Sequence, residues 1–309
     1  MDKKTERLVD VARMYYEQDR TQSEIADQYG ISRPMVSKLL KEARDRGIVT
    51  IRINAPKGES GGAPSLMELV GRCFGIYDGV AVPGGPNDQT TNEAVAEAAI
   101  SYLSELGGAS LGIGWGHIIG DVVKHMEQKA KLVPIGTFVC PLIGNGGVGL
   151  KNYHSNELVR SIAEHSGAQP RFIYSPACVL SEQELKLTRE LDSYHEIYHV
   201  WEKLDVALVN IGNFPSVPDF ASEARYGDQL IRQKAVGRIL NYFMDSQGHI
   251  IRSDTDYAIQ IPLELLTRTR HVVGICSANT SPKAFRAALK TGYLKHFIAP
   301  EHVVREALE

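Results

Sequence analysis

The segment from Thr21 to Leu40 limits the possible fold of this chain more than any other, because it has the pattern of two short helices joined by a tight turn. Thr21 and, three residues later, Glu24 form a capping box, which predicts that a helix begins here. Gly30 is suited to end that helix, since glycine adopts a left-handed backbone conformation without strain. Ser32 is then placed to cap the second helix. The segment therefore predicts a helix-turn-helix.

The second predicted helix has one apolar and one basic face. Val36, Leu39 and Leu40 make up its buried stripe, so its outward side chains are polar or positively charged, as in a helix that enters the major groove of DNA. The candidate DNA-binding residues are three that we expect at base edges (Arg33, Ser37 and Lys38), three that we expect at phosphates (Thr21, Gln22 and Lys41) and the helix cap Ser32. A structural helical hairpin with a solvated basic face is the alternative, but the caps and the small residue Ala26 agree with the close helix crossing of a DNA-binding motif.

The charge of the chain is unevenly distributed. Its 309 residues are enough for two domains and carry a formal net charge of −3, which taken alone argues against a nucleic-acid partner. Between Arg33 and Arg52, however, six Lys or Arg stand against the two acids Glu42 and Asp45, a local excess of four positive charges. Because salt screens charges beyond about 10 Å, phosphate attraction depends on such a local excess. The distribution suits double-stranded DNA as the partner of one small domain.

The four cysteines, Cys73, Cys140, Cys178 and Cys276, are widely spaced and form no C-x-x-C pattern. Because three of them lie in apolar runs, we expect buried free thiols rather than disulfides or a metal site. No apolar run reaches the roughly 18 residues that a membrane helix requires, and the first residues are charged. We therefore expect a cytoplasmic protein that needs no membrane, metal or cofactor.

Three segments predict how the chain is divided. Helical periodicity over residues 5–17 predicts a helix on which the helix-turn-helix packs. Residues 48–54 alternate between apolar and polar and predict a β wing, and residues 55–64 form a Gly/Pro/Ser-rich linker. We therefore expect a winged helix-turn-helix domain over 1–54, a linker over 55–64 and a larger domain over 65–309.

The larger domain alternates between apolar strands and helices. The predicted strands are 79–82, 110–115, 136–142, 171–174, 206–211 and 271–276, and the predicted helices are 91–106, 118–128, 155–165 and 283–290. Such alternation is typical of an α/β fold with a mostly parallel sheet that is covered on both faces. In these folds ligands bind at the carboxyl ends of the strands.

A Gly-rich turn follows one of these strands and is the clearest candidate for a ligand site. It runs from Gly114 through Trp115 and Gly116 to His117, where a helix begins. Its glycines allow a ligand to approach the backbone, and the helix start offers unpaired amides to an anion such as a sugar phosphate. A tight turn without a ligand is the alternative.

Other strand ends carry polar residues that suit a sugar ligand. They are Gly144, Asn145, Gly146 and Gly147 with the nearby Asn156, then Gly212, and finally Thr280, Ser281 and Lys283 before a predicted helix. The two amides could bind hydroxyls, and the hydroxyls with Lys283 could bind a phosphate. A flexible loop and a plain helix cap are the respective alternatives. Asp245 lies in a loop-rich segment, where its carboxylate could bind sugar hydroxyls or act as a base, although forming a turn is the commoner use of Asp in such a setting.

Several segments, in this order, resemble the SorC family of sugar-responsive bacterial transcriptional regulators, and the resemblance spans nearly the whole chain. They are residues 14–26, 114–116, 153–156, 204–212, 234–237 and 289–293. The resemblance implies a Rossmann-like α/β effector and oligomerisation domain over 65–309, related to glucosamine-phosphate deaminase and ribose-phosphate isomerase but without catalysis. It also implies a sugar or sugar-phosphate effector and a homo-oligomer, a dimer or a tetramer, on operator DNA.

Carried over by position, the resemblance implies an effector site on four strand ends and one turn. Its residues are Gly114, Trp115, Gly116, His117, Gly144, Asn145, Gly146, Gly147, Asn156, Gly212, Asp245, Thr280, Ser281 and Lys283. Two positions depart from the family. Ile143 stands where some relatives have a Schiff-base lysine, and Ser281 stands where relatives tend to have a lysine, which here follows two residues later as Lys283. We therefore expect no covalent capture of an aldehyde.

The sequence thus favours a DNA-binding transcriptional regulator of a carbohydrate-utilisation operon whose operator binding is controlled by a sugar or sugar-phosphate effector. The alternative is a sugar-phosphate isomerase or deaminase fused to a DNA-binding module. Its base would be Asp245, Asp121 or His117, which do not cluster in the sequence. An architectural DNA binder would leave the Gly-rich strand ends without a purpose.

Overall fold

The structure is a computed structural model that describes residues 3–16, 18, 20–45, 49, 64–106, 109–129, 132–147, 149–216 and 225–309. The contacts of the chain divide it into two compact units, Met1–Gly62 and Ala63–Glu309. Apart from Val49 and Pro64, the predicted wing over 48–54 and linker over 55–64 lie outside the described residues. The limits of the DNA-binding domain and of the linker therefore stay predictions.

The first unit contains three described helices, α1 (Lys3–Tyr16), α2 (Gln22–Tyr29) and α3 (Arg33–Asp45). The helix predicted over 5–17 is confirmed as α1. One apolar cluster joins all three helices through Val11, Ile25, Ala26, Val36 and Leu40. Gly30 between α2 and α3 has φ 62°, the left-handed conformation that the turn was expected to require.

The second unit is built on one sheet. Its strands are β1 (Gly79–Val82), β2 (Leu111–Ile113), β3 (Phe138–Pro141), β4 (Gln169–Pro170), β5 (Val206–Asn213), β6 (Ala235–Ile239), β7 (Tyr242–Asp245), β8 (His271–Ile275) and β9 (His296–Pro300). Seven of them pair in the order β1-β9-β8-β5-β2-β3-β4, and each of these pairs is parallel. β6 pairs antiparallel with the end of β5 and with β7. The predicted α/β fold with a mostly parallel sheet is confirmed.

Helices follow most of the strands. They are α4 (Leu66–Phe74), α5 (Asp88–Leu106), α6 (His117–Glu127), α7 (Ser155–Ser166), α8 (Glu182–Glu190), α9 (Asp192–Glu202), α10 (Gln229–Arg232), α11 (Leu263–Arg268), α12 (Pro282–Lys290) and α13 (Glu301–Leu308). The four helices predicted in this unit correspond to α5, α6, α7 and α12. No helix in the described part of the chain is long and apolar enough to cross a membrane.

The sheet is buried on both of its faces. Along β5, Ala207, Val209 and Ile211 belong to one apolar cluster, whereas the alternate residues Val206 and Leu208 belong to a second. Because successive side chains of a strand point to opposite faces, each face of β5 packs against its own hydrophobic layer. A strand covered in this way reads as a continuous apolar run, which is why β5 could be recognised in the sequence.

Two expectations are corrected by the structure. Residues 171–174 do not form a strand, because the pairing with β3 stops at Pro170. The backbone amide of Ile173 donates instead to the Asn156 side chain, at 3.0 Å. All four cysteines are free thiols, as expected, but only Cys140 and Cys276 are buried, while Cys73 is exposed.

Candidate functional site

The predicted caps lie at the starts of α2 and α3. The Thr21 hydroxyl accepts from the Glu24 amide at 3.3 Å, and the Glu24 carboxylate accepts from the Thr21 amide at 2.8 Å. These hydrogen bonds from Thr21 lower the pKa of Glu24. The Ser32 carbonyl accepts the amides of Met35 and Val36, as at a helix N-cap. The helix-turn-helix is therefore formed by local interactions that the sequence specifies.

The basic face of α3 is exposed, as predicted. Arg33, Ser37, Lys38 and Lys41 are exposed, whereas Val36 and Leu40 are buried and Leu39 is half-buried. A cleft of about 550 Å³ lies beside this face, lined by Tyr15, Tyr16, Arg20, Thr21, Gln22, Ser23 and Arg33. The guanidinium groups of Arg20 and Arg33 line this cleft together with the first turn of α2, whose backbone amides favour anions. Arg20 was not among the predicted phosphate contacts.

The sheet order brings the predicted effector segments together. Strands β8, β5, β2 and β3 are neighbours and run parallel. Their carboxyl ends therefore lie side by side, and each continues into one of the polar segments singled out in the sequence. The turn 114–117 follows β2, the loop 143–147 follows β3, Gly212 lies near the end of β5 and the loop 277–283 follows β8.

The 114–117 turn is fixed by the strands and loops around it. The Gly114 amide donates to the Leu208 carbonyl and the Gly116 amide to the Asn152 carbonyl, both at 2.8 Å. Gly116 has φ 105° and ψ 176°, a conformation essentially confined to glycine. The Trp115 side chain is fully buried in the core, whereas His117 is exposed at the start of α6. Of the two predicted side chains, only His117 faces solvent.

The side chains of Asn145 and Asn156, which we expected to bind a ligand, are hydrogen-bonded to the protein itself. The Asn145 side chain donates to the Ile173 carbonyl at 3.2 Å and accepts from the backbone amide of Asn156 at 3.2 Å. The Asn156 side chain donates to the same carbonyl at 2.9 Å. Gly144 and Gly146 are buried against neighbouring backbone, but Gly147 is exposed with open space where a Cβ would lie. In this structure, Asn145 and Asn156 thus shape the loop, and Gly147 is its open position.

The end of β5 holds the loop that precedes α12. The Asn213 side chain accepts from the Ser281 amide at 2.7 Å and donates to the Asn279 carbonyl at 3.0 Å. Thr280 is buried, and its hydroxyl accepts from the Ser277 amide at 2.9 Å. Lys283 is exposed in the first turn of α12. Among the predicted residues of this loop, Lys283 is therefore the one with a side chain directed to solvent.

The carboxylate of Asp245 is hydrogen-bonded within its own turn. Its carboxylate accepts from the amides of Gln247, at 2.8 Å, and His249, at 3.0 Å. Burial opposes ionisation of this carboxylate, but these hydrogen bonds and the His249 ring outweigh burial and lower the pKa of Asp245. Within the described residues, no hydrogen bond or ion pair connects Asp245 to the other predicted effector residues.

Two buried polar residues at the strand ends were missed. Asn210 on β5 is 7% exposed and lies directly beside Gly114 and Gly116. Arg238 on β6 is 5% exposed, lies against Gly212 and donates to the Asn241 side chain at 3.4 Å. Burial raises the pKa of Tyr153, and the positive charge of Arg238 acts against this rise. In the sequence, each of these two residues stands out only as a single polar residue inside an apolar run.

The larger unit matches a known family. Residues 63–309 match the model described as "Putative sugar-binding domain". The chain belongs to the SorC family of transcriptional regulators. Residues 5–46, which contain the helix-turn-helix of this SorC-family chain, match the model described as "Sigma-70, region 4". The family assignment therefore covers both compact units.

Similar proteins agree with this assignment over the full length. The chain is 30% identical to the sorbitol operon regulator of Klebsiella pneumoniae over 93% of this chain and 92% of that protein. It is 27% identical to the deoxyribonucleoside regulator of Bacillus subtilis over 99% and 98%. The crystal structure of the full-length sorbitol operon regulator SorC from Klebsiella pneumoniae superposes with a TM-score of 0.71 at 26% identity and covers all of both chains. These relatives are named as regulators, not as enzymes.

Proposed function

We propose that this SorC-family chain is a regulator of a carbohydrate-utilisation operon whose binding to operator DNA is controlled by a sugar or sugar-phosphate effector. The observation that carries the proposal is the combination, in one chain, of an exposed basic helix after a capped turn and a sugar-binding domain with polar strand ends. Two relatives are named as a sorbitol operon regulator and a deoxyribonucleoside regulator. The chemistry of those compounds points to a polyhydroxylated effector here.

DNA recognition is assigned to the exposed face of α3. Arg33, Ser37 and Lys38 would contact base edges, because they project from the first turns of the helix. Thr21, Gln22 and Lys41 would contact phosphates, and the cleft beside Arg20 and Arg33 would take a further phosphate. A homo-oligomer with two-fold symmetry would require a palindromic operator with half-sites about one helical turn apart.

Effector recognition is assigned to the neighbouring ends of β2, β5 and β8. The buried guanidinium of Arg238 and the exposed ammonium of Lys283 supply positive charge for an anionic group. Gly147 is exposed, and the open space at its Cβ position leaves backbone accessible to a ligand. Ile143, in place of a lysine, favours non-covalent binding. Control of DNA binding then requires that the effector has different affinities for the DNA-competent and DNA-incompetent states.

We further infer that the domain binds its effector without turning it over. A proton-abstracting enzyme requires a base within hydrogen-bond reach of its substrate. Asp245 is held by its own turn, and Asp121 lies half-buried on α6, one helical turn beyond His117. His117 is exposed, with Nδ1 3.4 Å from the Asn152 amide nitrogen. Conversion of ribose 5-phosphate, glucosamine 6-phosphate or fructose 6-phosphate by the purified protein would overturn this inference.

The proposal is tested in two separate assays on the full chain. Double-stranded DNA is first selected by the protein from a random-sequence library, and its affinity is then measured for wild type and for Arg33→Ala and Lys38→Ala. We expect each variant to bind the selected DNA at least about fivefold more weakly, because a good base contact contributes about 1–3 kcal/mol. Arg13→Ala, which removes an exposed cation from α1, is the charge-matched control. Equal affinities of all proteins would refute the assignment of α3.

The second assay measures effector binding through thermal stability. Inorganic phosphate, ribose 5-phosphate, glucose 6-phosphate, sorbitol 6-phosphate and the free sugars are the probes. A probe at 100 times its dissociation constant adds about 2.7 kcal/mol to the free energy of unfolding, which a thermal shift detects easily. Arg33→Ala should respond to the probe as wild type does. If no probe raises the melting temperature, the effector part of the proposal fails while the DNA part still stands.

A further inference from the structure

Asn210 is a buried polar residue on β5, the strand that lies between β8 and β2. It pairs with Ile275 of β8 in the sheet, and two residues before it Leu208 pairs with Ile113 of β2. Its backbone carbonyl accepts the Leu240 amide at 3.4 Å, so the turn between β6 and β7 packs on the same point. The side chain is 7% exposed. Asn210 is therefore held rigidly beneath the 114–117 turn.

The side-chain amide of Asn210 is not used by the protein. Its Oδ1 is buried and has no hydrogen-bond partner among the described residues. Buried amides are almost always paired, since an unpaired polar group is costly to keep in the interior. Two half-buried asparagines at these strand ends do have side-chain partners. Asn213 is paired with Ser281 and Asn279, and Asn145 with Asn156 and Ile173.

Two glycines of the 114–117 turn lie directly against this amide. A Cβ on Gly114 would lie 3.0 Å from the Asn210 Oδ1 and 2.8 Å from the Leu240 Cδ2. A Cβ on Gly116 would lie 3.7 Å from the Asn210 Nδ2, and no atom other than this nitrogen and the Asn210 Cγ lies within 4 Å of that point. With φ 105°, position 116 excludes other residues in any case. Because neither position carries a side chain, the backbone of the turn comes close to the Asn210 amide.

We propose that Asn210 is a specificity-determining residue of the effector site and that its side-chain amide binds a hydroxyl group of a polyhydroxylated effector. This inference rests on the proposed effector function. An amide offers one acceptor oxygen and donor hydrogens, and a hydroxyl both donates and accepts, so the two groups match. A site with an unpaired buried amide rejects ligands that lack the matching hydroxyl, because binding them leaves the amide unsatisfied. Selectivity for the hydroxyl pattern of the effector follows.

The test compares Asn210→Leu and Asn210→Ser with wild type in the full chain. Leu has a similar shape without the amide, and Ser is smaller and avoids overpacking. Gln183→Leu, which replaces an exposed amide on α8 with the same apolar group, is the control. For the sugar or sugar-phosphate probe that stabilises wild type most, dissociation constants are measured by calorimetry, and melting temperatures are measured without ligand.

We expect both Asn210 variants to bind this probe at least about tenfold more weakly than wild type and than Gln183→Leu. We also expect unliganded Asn210→Leu to melt no lower than wild type, because it loses a buried polar group that has no partner. Wild-type affinity in folded Asn210→Ser, or a lower melting temperature of both variants with unchanged affinity, would overturn the role of Asn210 but leave the effector function intact. Absence of any stabilising probe for wild type would overturn both.

Discussion

The loop after β3 contains two glycines for which the structure predicts opposite responses to the same substitution. A Cβ at Gly144 would lie 2.2 Å from the Pro176 carbonyl oxygen, which is backbone and cannot rotate away. Gly144 is also fixed by its amide, which donates to the Ile259 carbonyl at 2.9 Å, and by its carbonyl, which accepts from the Ser155 hydroxyl at 3.0 Å. A Cβ at Gly147 would meet nothing within 4 Å. Gly144→Ala should therefore strain the fold, whereas Gly147→Ala should not.

The size of the difference follows from the geometry. Overpacking by one methyl group against fixed backbone costs about 1–3 kcal/mol. In a unit of this size, each kcal/mol lowers the melting temperature by about 2–4 °C, so Gly144→Ala should melt about 2–12 °C below wild type. Gly147→Ala should stay within about 0.5 kcal/mol of wild type, as for most exposed substitutions.

Scanning calorimetry of the full chain measures both variants directly. Gly84→Ala, another position with open space where a Cβ would lie, is the control for glycine replacement itself. The same samples are then titrated with the stabilising probe, for which we expect Gly147→Ala to change affinity without changing stability. If Gly144→Ala is as stable as wild type, the close approach to Pro176 does not restrict this loop, and the argument for a rigid site fails.

Three further predictions concern the cap, the phosphate contacts and pH. Thr21→Ala removes the side-chain cap of α2 and should cost about 0.5–2 kcal/mol of helix stability, measured by circular dichroism against Ser23→Ala. Lys41→Ala should weaken binding equally on selected and random DNA and reduce the slope of log affinity against log salt by about 1, whereas an unchanged slope would exclude a phosphate contact. Burial and the adjacent His296 lower the pKa of His271 below 6.5, so the unfolded chain takes up this proton first as the pH falls. The contribution of His271 to stability should therefore decrease as the pH drops through about 6.5, and His271→Gln should lose less urea resistance than wild type on acidification.

The features that the sequence predicted well depend on neighbours in the chain. The capping box of Thr21 and Glu24 and the left-handed Gly30 are local, so their pattern determines their structure. Residues 206–209 of strand β5 form a continuous apolar run because the strand is buried on both faces. Once the strands are recognised as parallel, their carboxyl ends are expected at one edge of the sheet, and the 114–117 turn with them. The order of the strands along that edge is not specified by the local pattern.

The features that the sequence did not predict depend on distant partners. Residues 171–174 have the composition of a strand, but Ile173 is bonded to the side chains of Asn145 and Asn156 rather than to a neighbouring strand. For the same reason, the sequence did not predict that Asn145 and Asn156 use their side chains in these hydrogen bonds. Asn210 and Arg238 are candidates because Gly114 and Gly212 pack against them, and these contacts join segments that are distant in the sequence.

The central claim is that an effector bound at the strand ends changes the affinity of the helix-turn-helix for DNA. Fluorescence anisotropy of the selected DNA, titrated with the full chain in the absence and presence of a saturating stabilising probe, measures this coupling directly. Allosteric coupling is typically about 1–3 kcal/mol, so we predict a change in DNA affinity of at least about fivefold, in either direction. In Asn210→Leu, the same change should require a probe concentration at least about tenfold higher. An affinity that stays the same when the probe is bound would contradict the account.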